Sequence, residues 1–396
     1  MRVPLIPFIA FLVICVPVDL YIRRVLLTRC RCVRAAKWYS VISCVIYAVL
    51  IAAVCVPRRS GSNGQLAAVM WIFFGALTLY LPKLLFVIID AMACLPKLWR
   101  GKRWRYLSWI GVTLAAFLFC DMWWGALVTR FEVNVVSQDI YVKNLPDDMD
   151  GYRLAQISDL HVGTYGTDTT YIDKLVNEVN SLDVDAVVFT GDIVNRRSEE
   201  LLPFVTVFSR LTAPDGVYAI LGNHDYGDYS DWESPAAKAL NMTRLYDYYR
   251  DMGWRLLRNE HVYLKKGNDS IALIGVENIG DPPFKVYGSL TDSYPMLSDS
   301  VTKVLLTHNP AHWDMEIADN DTVNIALSLS GHTHAMQMEV LGLSPAALRY
   351  PQWQGLYKDN SESHQLYVNI GIGAVGMPMR MGTPPEVTVI TLKKAE

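Results

Sequence analysis

Residues 152–161 read YRLAQISDLH, an apolar run of strand length that ends in an aspartate and a histidine. Four further runs of strand length each precede a polar turn, and they lie at residues 186–189, 217–221, 303–306 and 324–327. This alternation of apolar runs, polar turns and helical patterns predicts an α/β domain. Four later runs without a long helix between them predict a second sheet packed on the first, and they lie at residues 262–264, 271–276, 366–370 and 387–392.

The turns after these runs carry residues that commonly bind metal ions. They are Asp159, His161, Asp192, Asn223, His224, Asp225, His308, His332 and His334. Strand ends meet at one edge of an open α/β sheet, so residues far apart in the sequence can meet there. Because a buried polar group costs free energy unless it is paired or bound to metal, the set predicts a metal site rather than packing.

The order of these blocks resembles the calcineurin-like metallophosphoesterase superfamily. The matching blocks are Asp159-x-His161, Gly191-Asp192, Gly222-Asn-His-Asp225, His308 and Gly331-His-x-His334. The resemblance covers residues 152–337 and continues more loosely to residue 386, in a tail similar to that of bacterial membrane-anchored members. It implies an α+β sandwich of two mixed sheets flanked by helices, which binds two metal ions and hydrolyses phosphate esters.

The resemblance also implies a role for each matching residue. Asp159, His161 and His334 would hold one ion, and Asn223, His308 and His332 the other. Asp192 would bridge the two ions, because a carboxylate has two oxygens. His224 would be the general acid that protonates the leaving oxygen.

Two divalent ions and two aspartates leave a site with net positive charge, which attracts phosphate. Metal coordination lowers the pKa of water from 15.7 to about 7, so a hydroxide is available at neutral pH and no nucleophilic side chain is needed. Mixed oxygen and imidazole ligands suit manganese, iron and zinc alike.

Three further residues are candidates for orienting groups or for contact with the substrate. Many relatives have an acidic residue three positions after the bridging aspartate, where this chain has Asn195. We expect the Asn195 amide to orient His224. Either Asp225 compensates for the missing charge, or the general acid matters less because the natural leaving group is already good, as a nucleotide or an acidic alkoxide would be. Arg380, in the Gly/Pro-rich tail, is expected either to contact a phosphate or to form a structural ion pair.

Residues 1–129 are predominantly apolar and predict a transmembrane region of four helices, at about residues 3–22, 38–56, 66–89 and 106–129. Residues 130–150 then form a linker and a first strand, and residues 151–396 the phosphoesterase domain. The first span could also be a signal peptide, but its arginines follow the apolar run, which favours a retained anchor. All seven cysteines lie in the membrane region, so the soluble part can form no internal disulfide.

Basic residues indicate the orientation of the spans. The links between the first two spans and between the last two are rich in Lys and Arg, whereas the middle link has only Arg58 and Arg59. This pattern predicts an extracytoplasmic catalytic domain. The resemblance to bacterial membrane-anchored members implies that the anchor lies in the inner membrane of a bacterium. Asp19, Lys83 and Asp90 lie near predicted helix ends, where we expect their side chains to reach the interface.

The chain has a net charge of −3 and no basic block in its soluble part, so nucleic acid is not an expected partner. The expected partners are a membrane and a phosphate-ester substrate, for which lipid-linked or envelope compounds are one class. A pyrophosphatase of nucleotide-linked acylated sugars and a non-catalytic metal-binding sensor or scaffold remain alternatives. The sequence does not indicate an oligomeric state, and His261, His312 and His364 are assigned no function.

Overall fold

The computed structural model describes residues 5–57, 59–294 and 301–395, with side chains from residue 8 onward. The chain forms two compact units. The first comprises Met1–Leu127 and Gly376–Met379, and the second comprises Val128–Val375 and Arg380–Glu396.

The first unit is helical, with α1 (Leu5–Thr28), α2 (Val33–Cys55), α3 (Asn63–Met92) and α4 (Arg105–Leu127). Three stretches of the described chain are long and apolar enough to cross a membrane, and they are Val33–Cys55, Asn63–Trp99 and Arg105–Phe131. The predicted first span starts at about residue 3, and its first two residues lie outside the described part of the chain. The count of four spans therefore stays a prediction.

Asp19 on α1 is buried in this unit, at 7% exposure. Its carboxylate accepts hydrogen bonds from Tyr39, from Tyr47 at 2.6 Å, from Tyr80 at 2.8 Å and from Lys83 at 3.0 Å. Donors on two other helices surround the carboxylate, and the expectation that Asp19 and Lys83 reach the membrane interface stays a prediction. This cluster joins α1, α2 and α3.

Asp90 near the end of α3 is fully buried. Its carboxylate accepts from Tyr21 at 2.6 Å, Arg29 at 2.5 Å, Ser108 at 2.5 Å and Arg103. The expected position of Asp90 near the membrane interface likewise stays a prediction. Two guanidinium groups and two hydroxyls enclose the charge and join α1, α3 and the start of α4.

The second unit contains two mixed six-stranded sheets. The first sheet has the order β1-β12-β2-β3-β4-β5, with β1 (Asn134–Val142), β2 (Arg153–Ile157), β3 (Ala186–Phe189), β4 (Val217–Ala219), β5 (Arg255–Leu256) and β12 (Glu386–Lys394). The second has the order β10-β11-β9-β8-β7-β6, with β6 (Glu260–Lys266), β7 (Asp269–Gly275), β8 (Lys303–Leu306), β9 (Leu327–Ser330), β10 (Gly355–Lys358) and β11 (Gln365–Val368).

The two sheets share one apolar core, in which Leu154 and Val188 of the first sheet lie in a cluster with Leu273 and Leu306 of the second. Helices α5 (Thr170–Asn180), α6 (Val205–Phe208) and α7 (Pro235–Asp251) pack with the other face of the first sheet, and α8 (Leu290–Ser293) packs with the second. The predicted α/β domain with two mixed sheets is therefore present, but the sheet predicted for three of the runs is wrong. The run at residues 387–392 lies in β12 of the first sheet, and the runs at residues 303–306 and 324–327 belong to the second sheet, because β8 and β9 pair with β7 and β11.

One strand lies further along the chain than predicted. The sequence placed a strand at residues 324–327, but β9 spans Leu327–Ser330. Ser328 and Ser330 are fully buried despite their hydroxyls, because β9 lies between β8 and β11 in the middle of its sheet. Their polarity resembles that of a turn, so the sequence pattern ended the strand too early.

Candidate metal centre

The candidate ligands lie in tight turns at strand ends, and several of these turns have left-handed backbone. The φ angles are 52° for Asp159, 43° for His161, 61° for Asp192, 73° for His332 and 50° for His334. Non-glycine residues rarely adopt such angles, and they cluster at functional sites when the surrounding structure holds them.

Asp159, His161 and His334 form a first cluster, with ligand atoms all within 4.8 Å of one another. His334 Nε2 lies 3.1 Å from His161 Nε2 and 3.2 Å from Asp159 Oδ1. Asp159 Oδ1 is buried and has no hydrogen-bond partner among the described residues. A buried, unpartnered carboxylate oxygen facing two imidazole nitrogens suits a bound cation.

Asp192, His308 and His332 form a second cluster of the same size. His308 Nε2 lies at its centre, 3.2 Å from Asp192 Oδ2, 3.2 Å from His332 Nδ1 and 3.2 Å from Asn223 Oδ1. The structure thus brings the predicted amide ligand Asn223 to the three residues of this cluster.

Asp192 lies between the two clusters. Its Oδ2 is 3.2 Å from His308 Nε2 and 3.6 Å from His161 Nε2. Its Oδ1 accepts the backbone N–H of His224 at 2.8 Å, which fixes the orientation of the carboxylate. One oxygen of Asp192 therefore faces both groups of candidate ligands.

The electrostatics of the site favour the protonation states that metal ligands require at both aspartates, at His161 and at His332, but not at His308. The nearby imidazoles hold the pKa values of Asp159 and Asp192 below their usual range despite the opposing effect of burial. Burial and the charge of His224 lower the pKa of His161, and burial with the charge of His308 lowers that of His332 to about 3. Burial opposes protonation of His308, but Asp192 raises its pKa to about 9. Ligation requires the ionised carboxylate and the neutral imidazole, so metal binding would displace a proton from His308.

His224 lies beside the clusters without belonging to either. Its Nδ1 lies 2.7 Å from the backbone carbonyl of Asn195. Its ring stacks on Tyr229 with centroids 4.3 Å apart and meets the edge of His161 at 4.8 Å. The ring is thus held on three sides.

The predicted role of the Asn195 side chain is wrong. The backbone carbonyl of Asn195 orients His224, whereas its side-chain Nδ2 donates to Thr164 Oγ1 at 3.1 Å. The buried carboxylate of Glu200 holds this segment in place, because it accepts the backbone N–H of Asn195 at 2.7 Å and of Arg196 at 3.3 Å.

Asp225 does not compensate for the missing acidic residue, because its oxygens are already engaged. It is fully buried and accepts the backbone N–H groups of Asp192, Ile193, Val194 and Gly222 at 2.9–3.2 Å. Burial, with the charge of Asp192, raises the pKa of Asp225 to about 8. Its contacts tie the Gly191-Asp192 turn to the Gly222-Asn223 turn.

Arg380 is fully buried, which excludes the predicted contact with a phosphate. Its guanidinium donates to the carbonyl oxygens of Ile370, Gly373 and Thr383. It also lies 3.3 Å from Nδ1 of the candidate ligand His334. Backbone carbonyls of the tail, rather than a carboxylate, surround this charge.

Three aromatic residues at the site were not found from the sequence. Tyr350 OH lies 2.9 Å from His332 Nε2, Tyr229 OH accepts from Asn223 Nδ2 at 2.8 Å, and the Phe284 ring meets the edge of His332 at 4.8 Å. No motif marks them, since all three come from loops. The three histidines that were assigned no function each have a structural partner, namely Ser293 for His261, Thr307 for His312 and Asp359 for His364.

Comparisons with known proteins identify the family of this chain. Residues 152–336 match the family model described as "Calcineurin-like phosphoesterase". Residues 1–130 match the model described as "Probable Calcineurin-like phosphoesterase, transmembrane domain". An uncharacterized metallophosphoesterase of Bacillus subtilis, YkuE, is 30% identical over 267 residues, which are 66% of this chain and 86% of the relative.

A zebrafish transmembrane protein with a metallophosphoesterase domain is 31% identical over 271 residues. The match covers 66% of this chain but only 58% of that relative. A dimetal phosphatase of known structure from Danio rerio covers 56% of this chain and 88% of its own at 13% identity. Its TM-score of 0.32 is too low to support an argument.

The chain belongs to the calcineurin-like phosphoesterase family. Since it also matches the transmembrane domain of such enzymes, it is a membrane-associated metallophosphoesterase with two groups of candidate metal-binding residues.

Proposed function

We propose that this chain is a membrane-anchored phosphoesterase with two divalent metal ions, which hydrolyses phosphomonoesters or phosphodiesters. The observation that carries the proposal is Asp192 Oδ2, which lies 3.2 Å from His308 Nε2 and 3.6 Å from His161 Nε2. A single carboxylate oxygen facing two ligand clusters suits two ions that share a bridging ligand.

The residues present fit such a pair of ions. Asp159, His161 and His334 would hold one, and Asn223, His308 and His332 the other, with Asp192 shared. The unpartnered Asp159 Oδ1 supports this assignment. When bound, divalent ions supply positive charge for the phosphate oxygens and activate water. Manganese, iron and zinc all suit this donor set.

His224 would deliver the proton that the leaving oxygen needs. Its Nδ1 lies 2.7 Å from the Asn195 carbonyl, which can only accept, so Nδ1 carries a hydrogen. Nε2 is then the nitrogen that holds the transferable proton. The ring is positioned by Tyr229 and His161, so the proton is offered from a fixed direction.

We also propose that the chain crosses the membrane four times, that its catalytic domain is extracytoplasmic and that it is anchored in the inner membrane of a bacterium. The four described helices and the match to a transmembrane domain support the membrane association. The basic residues of the first and third links support the orientation.

A lipid-linked substrate is the finer part of the proposal. Residues 340–348 contain no charged residue, and they expose Leu341 by 97%, Leu343 by 77% and Leu348 by 93%. The segment leads directly to Tyr350, whose hydroxyl contacts the candidate ligand His332. Exposed leucines beside a phosphate site suit a substrate with an apolar part.

The test uses the full-length protein, purified in detergent, stripped of metal and supplied with Mn²⁺. Hydrolysis of p-nitrophenyl phosphate and of bis-p-nitrophenyl phosphate would separate monoesterase from diesterase activity. Asp192→Asn should lower kcat/KM about a thousandfold, because metal ions contribute several kcal/mol at about 1.4 kcal/mol per tenfold. Full activity of this variant, or none in the wild type on a wide set of lipid and nucleotide phosphates, would contradict the proposal.

A further inference from the structure

Imidazole and amide side chains can present a lone pair to a metal ion in only one of two arrangements. A neutral histidine offers one nitrogen while the other carries hydrogen, and an asparagine offers its oxygen while its NH₂ points away. The partner of the outward-facing atom therefore decides whether the inward-facing atom is ready to bind. The two candidate sites differ in these outer partners.

In the second site, the outer partner of His308 is a backbone carbonyl. His308 Nδ1 lies 2.8 Å from Thr190 O, which can only accept. The hydrogen that a neutral His308 keeps is therefore on Nδ1, and Nε2, the nitrogen that would bind the ion, faces Asp192 and Asn223.

The other two neutral ligands of this site have phenols as outer partners. Asn223 Nδ2 donates to Tyr229 OH at 2.8 Å, and its Oδ1 faces inward. His332 Nε2 lies 2.9 Å from Tyr350 OH, and its Nδ1 faces inward. A phenol oxygen can accept the outward N–H in both cases, so neither ligand leaves a buried donor unsatisfied when its other atom binds an ion.

The first site has no such partners among the described residues. His161 Nδ1 is buried without a hydrogen-bond partner. His334 Nδ1 lies 3.3 Å from Arg380 Nη2, and a guanidinium has only donors. It cannot accept the hydrogen that Nδ1 must carry when Nε2 binds an ion. Both imidazoles of this site therefore bind metal against an unfavourable outer environment.

We infer that the two metal sites are unequal, and that the site of Asp192, Asn223, His308 and His332 binds its ion more tightly and fills first. Tyr229 and Tyr350 are positioning residues that produce this difference. The inference rests on the ligand assignment of the proposed function and adds an order of filling to it.

The test is Mn²⁺ binding to the full-length, metal-stripped protein, measured by equilibrium dialysis with elemental analysis and checked by the electron paramagnetic resonance of free Mn²⁺. The wild type should bind two ions in two separate steps. Tyr229→Phe and Tyr350→Phe keep the aromatic rings and should each weaken the tighter step by about tenfold or more, while the weaker step stays within about twofold. Tyr218→Phe is the matched control and should change neither step, because among the described residues its hydroxyl bonds only the backbone oxygen of Asp215.

A second variant, Asn223→Asp, distinguishes two explanations for a weaker tighter step in Tyr229→Phe, namely loss of the orientation of the Asn223 amide and general damage to the fold. Asn223→Asp presents an oxygen in either orientation, so Tyr229→Phe should weaken the tighter step by less than about threefold in that background. Two equal steps in the wild type, or tyrosine variants that weaken only the looser step, would overturn the inference. A wild-type protein that binds fewer than two ions would instead contradict the proposed function.

Discussion

The membrane unit and the metal centre both bury aspartates, but they surround them with opposite kinds of atoms. Asp19 receives hydrogen bonds from three tyrosines and a lysine, and Asp90 from two arginines, a tyrosine and a serine. Every neighbour of these carboxylates is a donor. Each charge is thus balanced by the protein itself.

At the metal centre, donors hold one oxygen of each aspartate, but the other oxygen faces atoms that bind cations. Asp159 Oδ1 has no hydrogen-bond partner among the described residues, and Asp192 Oδ2 faces imidazole nitrogens of His161 and His308. Once these imidazoles are neutral, their lone pairs and the carboxylate oxygens converge and repel one another unless a cation lies between them. Buried carboxylates alone therefore do not indicate a functional site, whereas the kind of atom around them does.

The largest effect that sharpens this comparison concerns His224, which lies at the centre without being a candidate ligand. His224→Ala should lower kcat by about 10²–10⁴-fold, the usual contribution of a general acid. The metal content, measured by elemental analysis, should stay at the wild-type level. Loss of metal together with activity would show that His224 is a ligand and that its assigned role is wrong.

The second effect concerns Asp90, one of the two aspartates whose charge is balanced by neighbouring donors of the protein. Asp90→Asn leaves Arg29 and Arg103 without their shared carboxylate and should lower the free energy of unfolding by about 3–5 kcal/mol. Thermal unfolding in detergent would measure this loss. Metal content and kcat should not change below the unfolding temperature.

Asp121→Asn, in a partly buried position on α4, is the matched control and should leave thermal unfolding close to wild type. An Asp90→Asn variant of unchanged stability would break the comparison, because the donors around Asp90 would then contribute nothing.

A smaller effect concerns Glu200, a third kind of buried carboxyl. Burial raises its pKa to about 7, against the opposing effects of two backbone N–H groups and of Arg196 at 3.8 Å. An acid whose pKa is higher in the folded state makes the protein less stable as pH rises through that window. Stability should therefore fall between about pH 4.5 and pH 7.

Glu200→Gln cannot ionise and should lack this part of the decline. The Tm difference between variant and wild type, measured at pH 5 and at pH 8, should shift in favour of the variant at pH 8. An equal difference at both pH values would mean that Glu200 does not titrate in this range.

The smallest effect concerns Asn195. Its backbone carbonyl, not its side chain, contacts His224, so Asn195→Ala should keep kcat within about threefold of wild type, a change under about 0.7 kcal/mol in the barrier. A loss as large as that of His224→Ala would restore the orienting role that the sequence predicted for the amide.

How far the sequence reaches depends on the kind of contact. The candidate ligands could be predicted because each follows an apolar run, and strand ends gather at one edge of a sheet. That the ligands come from two sheets, with Asp159, Asp192 and Asn223 after strands of the first and His308 and His332 after strands of the second, was not predicted. The contact of Asn195 with His224 uses a backbone atom, which every residue has, so no residue type marks it. Arg380 was misread for the same reason, since backbone carbonyls enclose it.

The pairing of strands that are far apart in the chain could not be predicted from the sequence either. β1 runs parallel to β12, and Asn134 pairs with Glu386 at the far end of the domain. Alternating apolar residues indicate a strand but do not name its neighbour. The partners of Asp19 and Asp90 likewise come from other helices and from the links beside them. The two aspartates lie near predicted helix ends, so the sequence favoured the membrane interface and did not show that packing buries their side chains.

The most direct measurement is the number of divalent ions bound to the folded, full-length protein, counted by elemental analysis after dialysis against Mn²⁺. Two converging clusters that share Asp192 predict two ions per chain, and fewer than two in Asp192→Asn. A folded wild-type protein with no capacity for two ions would contradict this assignment of the site.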